Sequence, residues 1–255
     1  MTDLKKKLKN REFVAGTHTT LIDTSITELY GFIGFDFVWI DTEHTSIDYY
    51  ALQNHIIAAA AGGTNSLVRI PWNDPVMAKR VLEMGPTGII FPMVSNAEEL
   101  DRAMQSTLYP PLGIRGWGPR RAVKYGVADA NKYISEKSLE MVRCAQIESH
   151  IAVDNLEEMA KNPYVDCFII GPCDLSGSVG ELNQIFNKKT QDLVKRSIEI
   201  LGKAGKSVGL STGSDNPAEL KAWHDLGLNF LSAGADILHI TKNAGNILAC
   251  MKEMK

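Results

Sequence analysis

Eight short apolar runs, each followed by a stretch with helical periodicity, restrict this chain to a parallel α/β architecture. The runs fall near Val14–Thr17, Phe35–Asp41, Ser66–Ile70, Gly88–Pro92, Val142–Glu148, Val165–Gly171, Ser207–Ser211 and Phe230–Ala233. Several are almost continuously apolar, as parallel strands covered on both faces are. Helices are expected over Asp23–Tyr30, Asp48–Ala61, Pro75–Met84, Ala97–Ser106, Ile151–Ala160, Lys189–Ala204, Pro217–Leu226 and Asp236–Met251. Asn216-Pro217 supplies an N-cap and a first-turn proline for one of them. Eight strand–helix units are the number that closes a (β/α)8 barrel, and 255 residues is an ordinary length for one. An open doubly wound sheet is the alternative, but it wants a glycine-rich turn after its first strand, where this chain has Thr17-His18-Thr19-Thr20. The expected fold is therefore a TIM barrel, with residues 1–255 as one domain. One connection, between Thr107 and Met141, is long enough to be functional or disordered.

A net charge of −3 gives no bulk attraction to nucleic acid or to a membrane surface. No apolar run approaches the roughly 18 residues that a membrane span needs. The four lysines of the first ten residues are not followed by a signal-peptide core, so a cytoplasmic protein is expected. Cys144, Cys167, Cys173 and Cys250 form no CxxC pair, which argues against structural zinc and for free thiols.

Barrels place reactive groups at the C-terminal ends of their strands. The second run ends in Asp41-Thr42-Glu43-His44, the third near Arg69, the fifth in Gln146-Ile147-Glu148, and the sixth leads into Gly171-Pro172-Cys173-Asp174. The first, seventh and eighth end in small or weakly polar residues. Gln146 and Glu148 share a strand face, which is the barrel interior if Ile147 packs outward. A carboxylate there needs a cation. Either a hard divalent metal shared with Asp174 or the guanidinium of Arg69 meets that need. Arg69 in turn faces a substrate carboxylate or an internal acid. His44 is a general base if Asp41 orients it, and a surface histidine if not. Cys173 reads as a nucleophile or a small buried residue. Arg115, Arg120, Arg121 and Lys124, near Trp117, form a basic patch that would draw in an acidic substrate, contact another subunit, or face solvent. Gly209-Leu210-Ser211-Thr212-Gly213 is only loosely like a phosphate-cradling loop.

Six segments occur in an order and spacing that carry a family resemblance: Phe37 to His44, Leu67-Val68-Arg69-Ile70-Pro71, Phe91-Pro92-Met93-Val94, Tyr109 to Gly118, Gln146-Ile147-Glu148 and Gly171 to Ser176. Together they resemble the HpcH/HpaI aldolases, which include 4-hydroxy-2-oxoheptanedioate and 2-dehydro-3-deoxyglucarate aldolases. The resemblance implies a pyruvate-binding barrel that cleaves 4-hydroxy-2-oxo acids to pyruvate and an aldehyde with a divalent metal (Mg2+, Mn2+ or Co2+) and no Schiff-base lysine. On the matching positions it implies Glu148 and Asp174 as metal ligands. Arg69, Gln146 and Gly171 to Asp174, with Pro172 and Cys173, would be the substrate contacts. His44, with Asp41 orienting it, would handle protons. It also implies a homo-oligomer, a trimer or hexamer, in which the helix Asp236–Met251 is exchanged between neighbours. The chain departs from the family pattern at Gly85-Pro86-Thr87, at Trp117 with Arg120-Arg121, and over Gly177 to Phe186, which leaves the aldehyde open. A related oxo-acid decarboxylase or hydrolase, or a non-catalytic oxo-acid-binding protein, are the other readings.

Overall fold

Inward and outward side chains alternate along every strand, and that alternation builds two separate cores. In a computed structural model describing residues 2–254, β1 (Val14–Thr19), β2 (Phe37–Asp41), β3 (Asn65–Arg69), β4 (Gly88–Phe91), β5 (Val142–Ile147), β6 (Cys167–Ile170), β7 (Ser207–Thr212) and β8 (Phe230–Ala235) close into a barrel in chain order. All neighbouring strands are parallel, and β1 pairs with β8 to complete the ring. The outer core holds Val38, Ile40, Val68, Ile147 and Ile170 against the helices. The inner core holds Val14, Phe37, Trp39, Leu67, Ile90, Cys144, Ile169 and Phe230. Phe37 and Phe230 stack across the interior with centroids 4.3 Å apart. They leave no room for a side chain on two neighbouring strands: a Cβ on Gly16 would come 2.2 Å from the Phe37 ring, and one on Gly209 2.5 Å from Phe230.

The connecting helices are α2 (Ser25–Ile33), α3 (Tyr49–Ala61), α4 (Pro75–Glu83), α5 (Ala97–Thr107), α7 (His150–Asp154), α8 (Leu156–Met159), α10 (Lys188–Lys203), α11 (Pro217–Asp225) and α12 (Asp236–Glu253). Asp48, Asp74, Asn96, Ser149, Asn187 and Asn216 cap their helices with side-chain oxygens. The expected helix Ile151–Ala160 is instead the pair α7 and α8. Asn155 sits at the joint, and its amide bonds the Ile151 and Ser95 carbonyls.

Five elements in three segments have no counterpart among the helices expected from sequence. Helix α1 (Asp3–Lys9), capped by Thr2, inserts Leu4 and Leu8 into the inner core and plugs the barrel's N-terminal end. Helix α9 (Pro172–Gly177) follows β6 directly. The long connection contains α6 (Ala130–Ser135) and two 3-10 turns, Arg121–Gly126 and Lys137–Glu140. Arg115 is buried rather than solvated. It pairs with Glu83 at 3.4 Å and lies over Tyr109, while Arg121 donates to Met84 O. These bonds anchor the connection where α4 leads into β4, the barrel end away from the C-terminal strand ends. Of the expected basic patch, Arg120 and Lys124 remain at the surface.

Because Leu8 is fully buried in the plug, Leu8→Ala is expected to lower unfolding free energy by about 2–5 kcal/mol. Denaturant unfolding checks it, and a change under about 1 kcal/mol would mean α1 is not part of the cooperative core.

Candidate active site

Arg69, the last residue of β3, turns into the barrel and is gripped from two sides. Its Nε and Nη2 donate to the two carboxylate oxygens of Asp41 at 2.9 and 2.8 Å, the fork geometry of a strong charge-assisted pair. Its Nη1 lies 3.0 Å from Glu43 Oε2 as an ion pair outside hydrogen-bond geometry. The register explains the first contact, since Asp41 and Arg69 are direct partners across β2 and β3. Burial works to raise the Asp41 pKa, but the Arg69 bonds win and hold it below the ordinary carboxylate value. Burial pushes Glu43 the other way, to about 7, against the pull of Arg69.

The expectation that Asp41 orients His44 is therefore wrong: its carboxylate is engaged by Arg69. His44 is 68% exposed at the rim, and its Nε2 is 3.8 Å from Glu43 Oε2. Glu43, which the sequence reading did not single out, is the carboxylate that links His44 to Arg69.

Glu148 and Gln146 point inward from the end of β5, with Ile147 in the outer core as the alternation requires. Glu148 is not paired with Arg69. Its Oε2 accepts the Met93 N–H at 2.8 Å and its Oε1 accepts Gln146 Nε2 at 2.7 Å. Met93 aims that N–H from a left-handed backbone (φ 54°), a strained conformation at the mouth that sequence does not disclose. Burial pushes Glu148 up to about 7. The Met93 bond opposes this, and the nearby charges of Glu43 and Asp174 add to it. Gly171 leaves the space for this carboxylate, since a Cβ there would stand 3.0 Å from Glu148 Cγ.

A cavity of about 250 Å3 opens at this end of the barrel, lined by Arg69, Gln146, Glu148 and Gly171 to Asp174 on one side. The other side is formed by His18, Thr20, Ser211, Thr212 and Gly234. The structure thus brings Arg69, Gln146, Glu148, Gly171, Pro172, Cys173 and Asp174 into one cavity and leaves Asp41 and His44 outside its lining. Cys173 is exposed at the surface, yet partial desolvation of its thiol, with the Asp174 charge beside it, raises its pKa, which disfavours a nucleophilic thiolate. Ser211 and Thr212 belong to the end of β7, not to a phosphate-cradling loop.

Among the described residues, no cluster of three or more His, Cys, Asp or Glu side chains is poised around a metal position. The donors nevertheless suit a hard cation that keeps water or substrate ligands, for which one or two carboxylates suffice. Glu148 has no cationic group among its hydrogen-bond or ion-pair contacts. The buried Oε1 of Gln146 lacks any hydrogen-bond partner, and Asp174 lies exposed on the same cavity wall.

His18 escapes the sequence reading because the first strand is expected to stop at Thr17; β1 continues to Thr19, and Val14, Gly16 and His18 all face inward. Its Nδ1 is 2.8 Å from the Gly234 carbonyl oxygen and its Nε2 3.0 Å from Ser211 Oγ. Burial lowers its pKa to about 4. The unfolded chain therefore takes up a proton between about pH 6.5 and 4 that the folded chain refuses. That contribution to stability is complete above about pH 6.5 and is lost as pH falls toward about 4, by about 3 kcal/mol at most. His18→Gln is expected to remove this acid-sensitive part of the unfolding free energy. An identical pH dependence in variant and wild type would contradict a neutral His18.

Relatives aligned over nearly the whole chain are aldolases, and the protein is an enzyme of the carbon–carbon lyase kind. The chain belongs to the HpcH/HpaI aldolase/citrate lyase family, which it matches over residues 12–242. It is 31% identical to the 2-dehydro-3,6-dideoxy-6-sulfogluconate aldolase of Pseudomonas putida, covering 96% of this chain and 95% of the relative. It is 28% identical to the hydroxypyruvate/pyruvate aldolase of Roseovarius nubinhibens, over 96% of this chain and 95% of that one. A crystal structure of a family member from Burkholderia cenocepacia superposes with a TM-score of 0.93 at 26% identity, covering 99% of this chain and 100% of the other. Among the described residues no helix is long and apolar enough to cross a membrane.

Proposed function

We propose that the protein is a divalent-metal-dependent class II aldolase that reversibly cleaves 4-hydroxy-2-oxo acids to pyruvate and an aldehyde. What carries this proposal is Glu148, a buried carboxylate held by two N–H donors with no cation in contact, beside Asp174 and the unpartnered oxygen of Gln146. Glu148 and Asp174 would hold the ion, which as Mg2+, Mn2+ or Co2+ supplies Lewis-acid stabilisation of negative charge on the oxo acid. Arg69, fixed by Asp41 and Glu43, brings a positive charge to the cavity wall without the cost of ordering a free side chain. It binds the substrate carboxylate and opposes the charge that grows on the 2-oxo oxygen as the C3–C4 bond breaks. Gln146 keeps Glu148 oriented. His44, open to solvent and close to Glu43, takes the 4-hydroxyl proton as the aldehyde forms and passes it on.

The test is pyruvate release from a panel of 4-hydroxy-2-oxo acids, with EDTA and with Mn2+, Mg2+ or Co2+ restored. Release that stops with chelation and resumes with metal is expected. Decarboxylation without an aldehyde product would replace this assignment with an oxo-acid decarboxylase.

We also propose a homo-oligomer, trimer or hexamer, held through α12. Past His239 this helix is exposed along its length, with Ile240, Ile247, Leu248 and Met251 outside any core. Their spacing places them along one stripe of the helix, which is the pattern of a face that is covered. Ile247→Asp combined with Leu248→Asp is expected to convert the oligomer to monomer in light scattering. A wild-type protein that is already monomeric would remove the proposal.

A further inference from the structure

The cavity wall across the barrel from Glu148 bears the hydroxyls of Thr20 and Ser211, and each has its proton committed elsewhere. The Gly234 carbonyl can only accept, so His18 Nδ1 carries the ring proton and the bare Nε2 accepts from Ser211 Oγ at 3.0 Å. Thr20 Oγ1 donates to Asp236 Oδ1 at 2.5 Å, a carboxylate also fixed by the Thr20 and Leu21 N–H groups. Thr212, the next residue on β7, turns its hydroxyl outward, where it donates to Glu219 Oε1 at 3.3 Å and accepts the Ser214 N–H at 3.1 Å. The Thr20 and Ser211 hydroxyls therefore offer lone pairs to a ligand and have no proton to give it. No lysine lines the cavity among the described residues, and its one arginine, Arg69, lies on the far side, where the oxo-acid carboxylate would take it.

We infer that this wall, Thr20 and Ser211 with His18 behind Ser211, selects an aldehyde that is uncharged and rich in hydroxyl donors, and disfavours one ending in a carboxylate or another anion. The inference rests on the aldolase reading proposed above. With pyruvate held by Arg69 and the Glu148 side, this opposite wall is the one left to face the aldehyde. A glycolaldehyde or glyceraldehyde unit there finds an acceptor for its hydroxyl protons. A terminal carboxylate finds neither a free hydroxyl proton nor a cation on this wall, so it loses hydration without gaining a charged partner. Sites that hydrogen-bond a substrate group discriminate strongly against ligands that cannot make the bond. His18 is a positioning residue here, because it acts through the Ser211 proton.

The test uses the full-length enzyme with Mn2+ and compares kcat/KM for condensation of pyruvate with glycolaldehyde, D-glyceraldehyde, succinic semialdehyde and glyoxylate. The hydroxyaldehydes are expected to be preferred by about tenfold or more. Ser211→Ala is expected to raise the KM for D-glyceraldehyde about tenfold with a smaller effect on kcat, and Ser211→Thr, which keeps the hydroxyl, to restore it. The His18 ring nitrogens, read by 15N NMR, are expected to show a protonated Nδ1 and a bare Nε2 at about pH 7. Exchange of pyruvate C3 protons with solvent in wild type, run without aldehyde, reads the underlying chemistry separately. Exchange together with equal or better use of succinic semialdehyde or glyoxylate would overturn the inference alone. No exchange would remove the aldolase reading and this inference with it.

Discussion

Glu148→Gln is expected to lower kcat/KM for pyruvate release by about 10^3-fold or more and to abolish the rise in melting temperature that Mn2+ is expected to give the wild type. The substitution keeps shape and volume while removing a buried charge on the cavity wall that has no cationic partner. The amide oxygen of the substituted side chain would still accept the Met93 N–H, so the barrel stays folded. A metal that binds only the folded state stabilises by about 2.7 kcal/mol at about a hundred times its dissociation constant, which makes the wild-type shift easy to read. Loss of oriented charge stabilisation in a protected site commonly costs about 10^2–10^3 in rate, and loss of the ion adds to it. An active variant that still responds to Mn2+ would move the metal away from Glu148.

Arg69→Ala is expected to lose activity by about 10^3-fold and stability by about 3–5 kcal/mol, while retaining some affinity for metal. The two losses have one cause. Arg69 is the cation for two carboxylates, Asp41 and Glu43, both nearly buried, and its removal strands them. Asp41 then loses the interaction that holds its pKa below the ordinary value. Arg69→Lys separates the effects: one ammonium restores charge but cannot reproduce the fork with Asp41, so more stability than turnover is recovered. Steady-state kinetics and denaturant unfolding of both variants check this. Normal turnover in Arg69→Lys would show that a point charge suffices and that the guanidinium geometry has no part in the reaction.

The barrel is legible because its strands are apolar runs bounded by capping and turn residues, and all eight occur within a few residues of their expected ends. Gln146 and Glu148 are legible for a related reason, since period-two alternation puts both inside once Ile147 is outside. What escapes depends on facts that alternation does not encode. A strand end placed two residues short hides His18. The pairing register, not proximity in sequence, gives Asp41 to Arg69 instead of His44. The Met93 N–H reaches Glu148 only through a positive φ that methionine rarely adopts. Helix α1 has a readable signal in Thr2 as cap and Leu4 and Leu8 four apart, which the run of lysines obscures.

The most direct measurement of the central claim is the exchange of pyruvate C3 protons in D2O by the purified enzyme, with Mn2+, with EDTA, and in Glu148→Gln. Exchange is predicted in the wild type with Mn2+, none with EDTA, and none in the variant under either condition. Exchange that survives EDTA, or that the variant retains, would contradict a metal-dependent pyruvate enolate formed at Glu148.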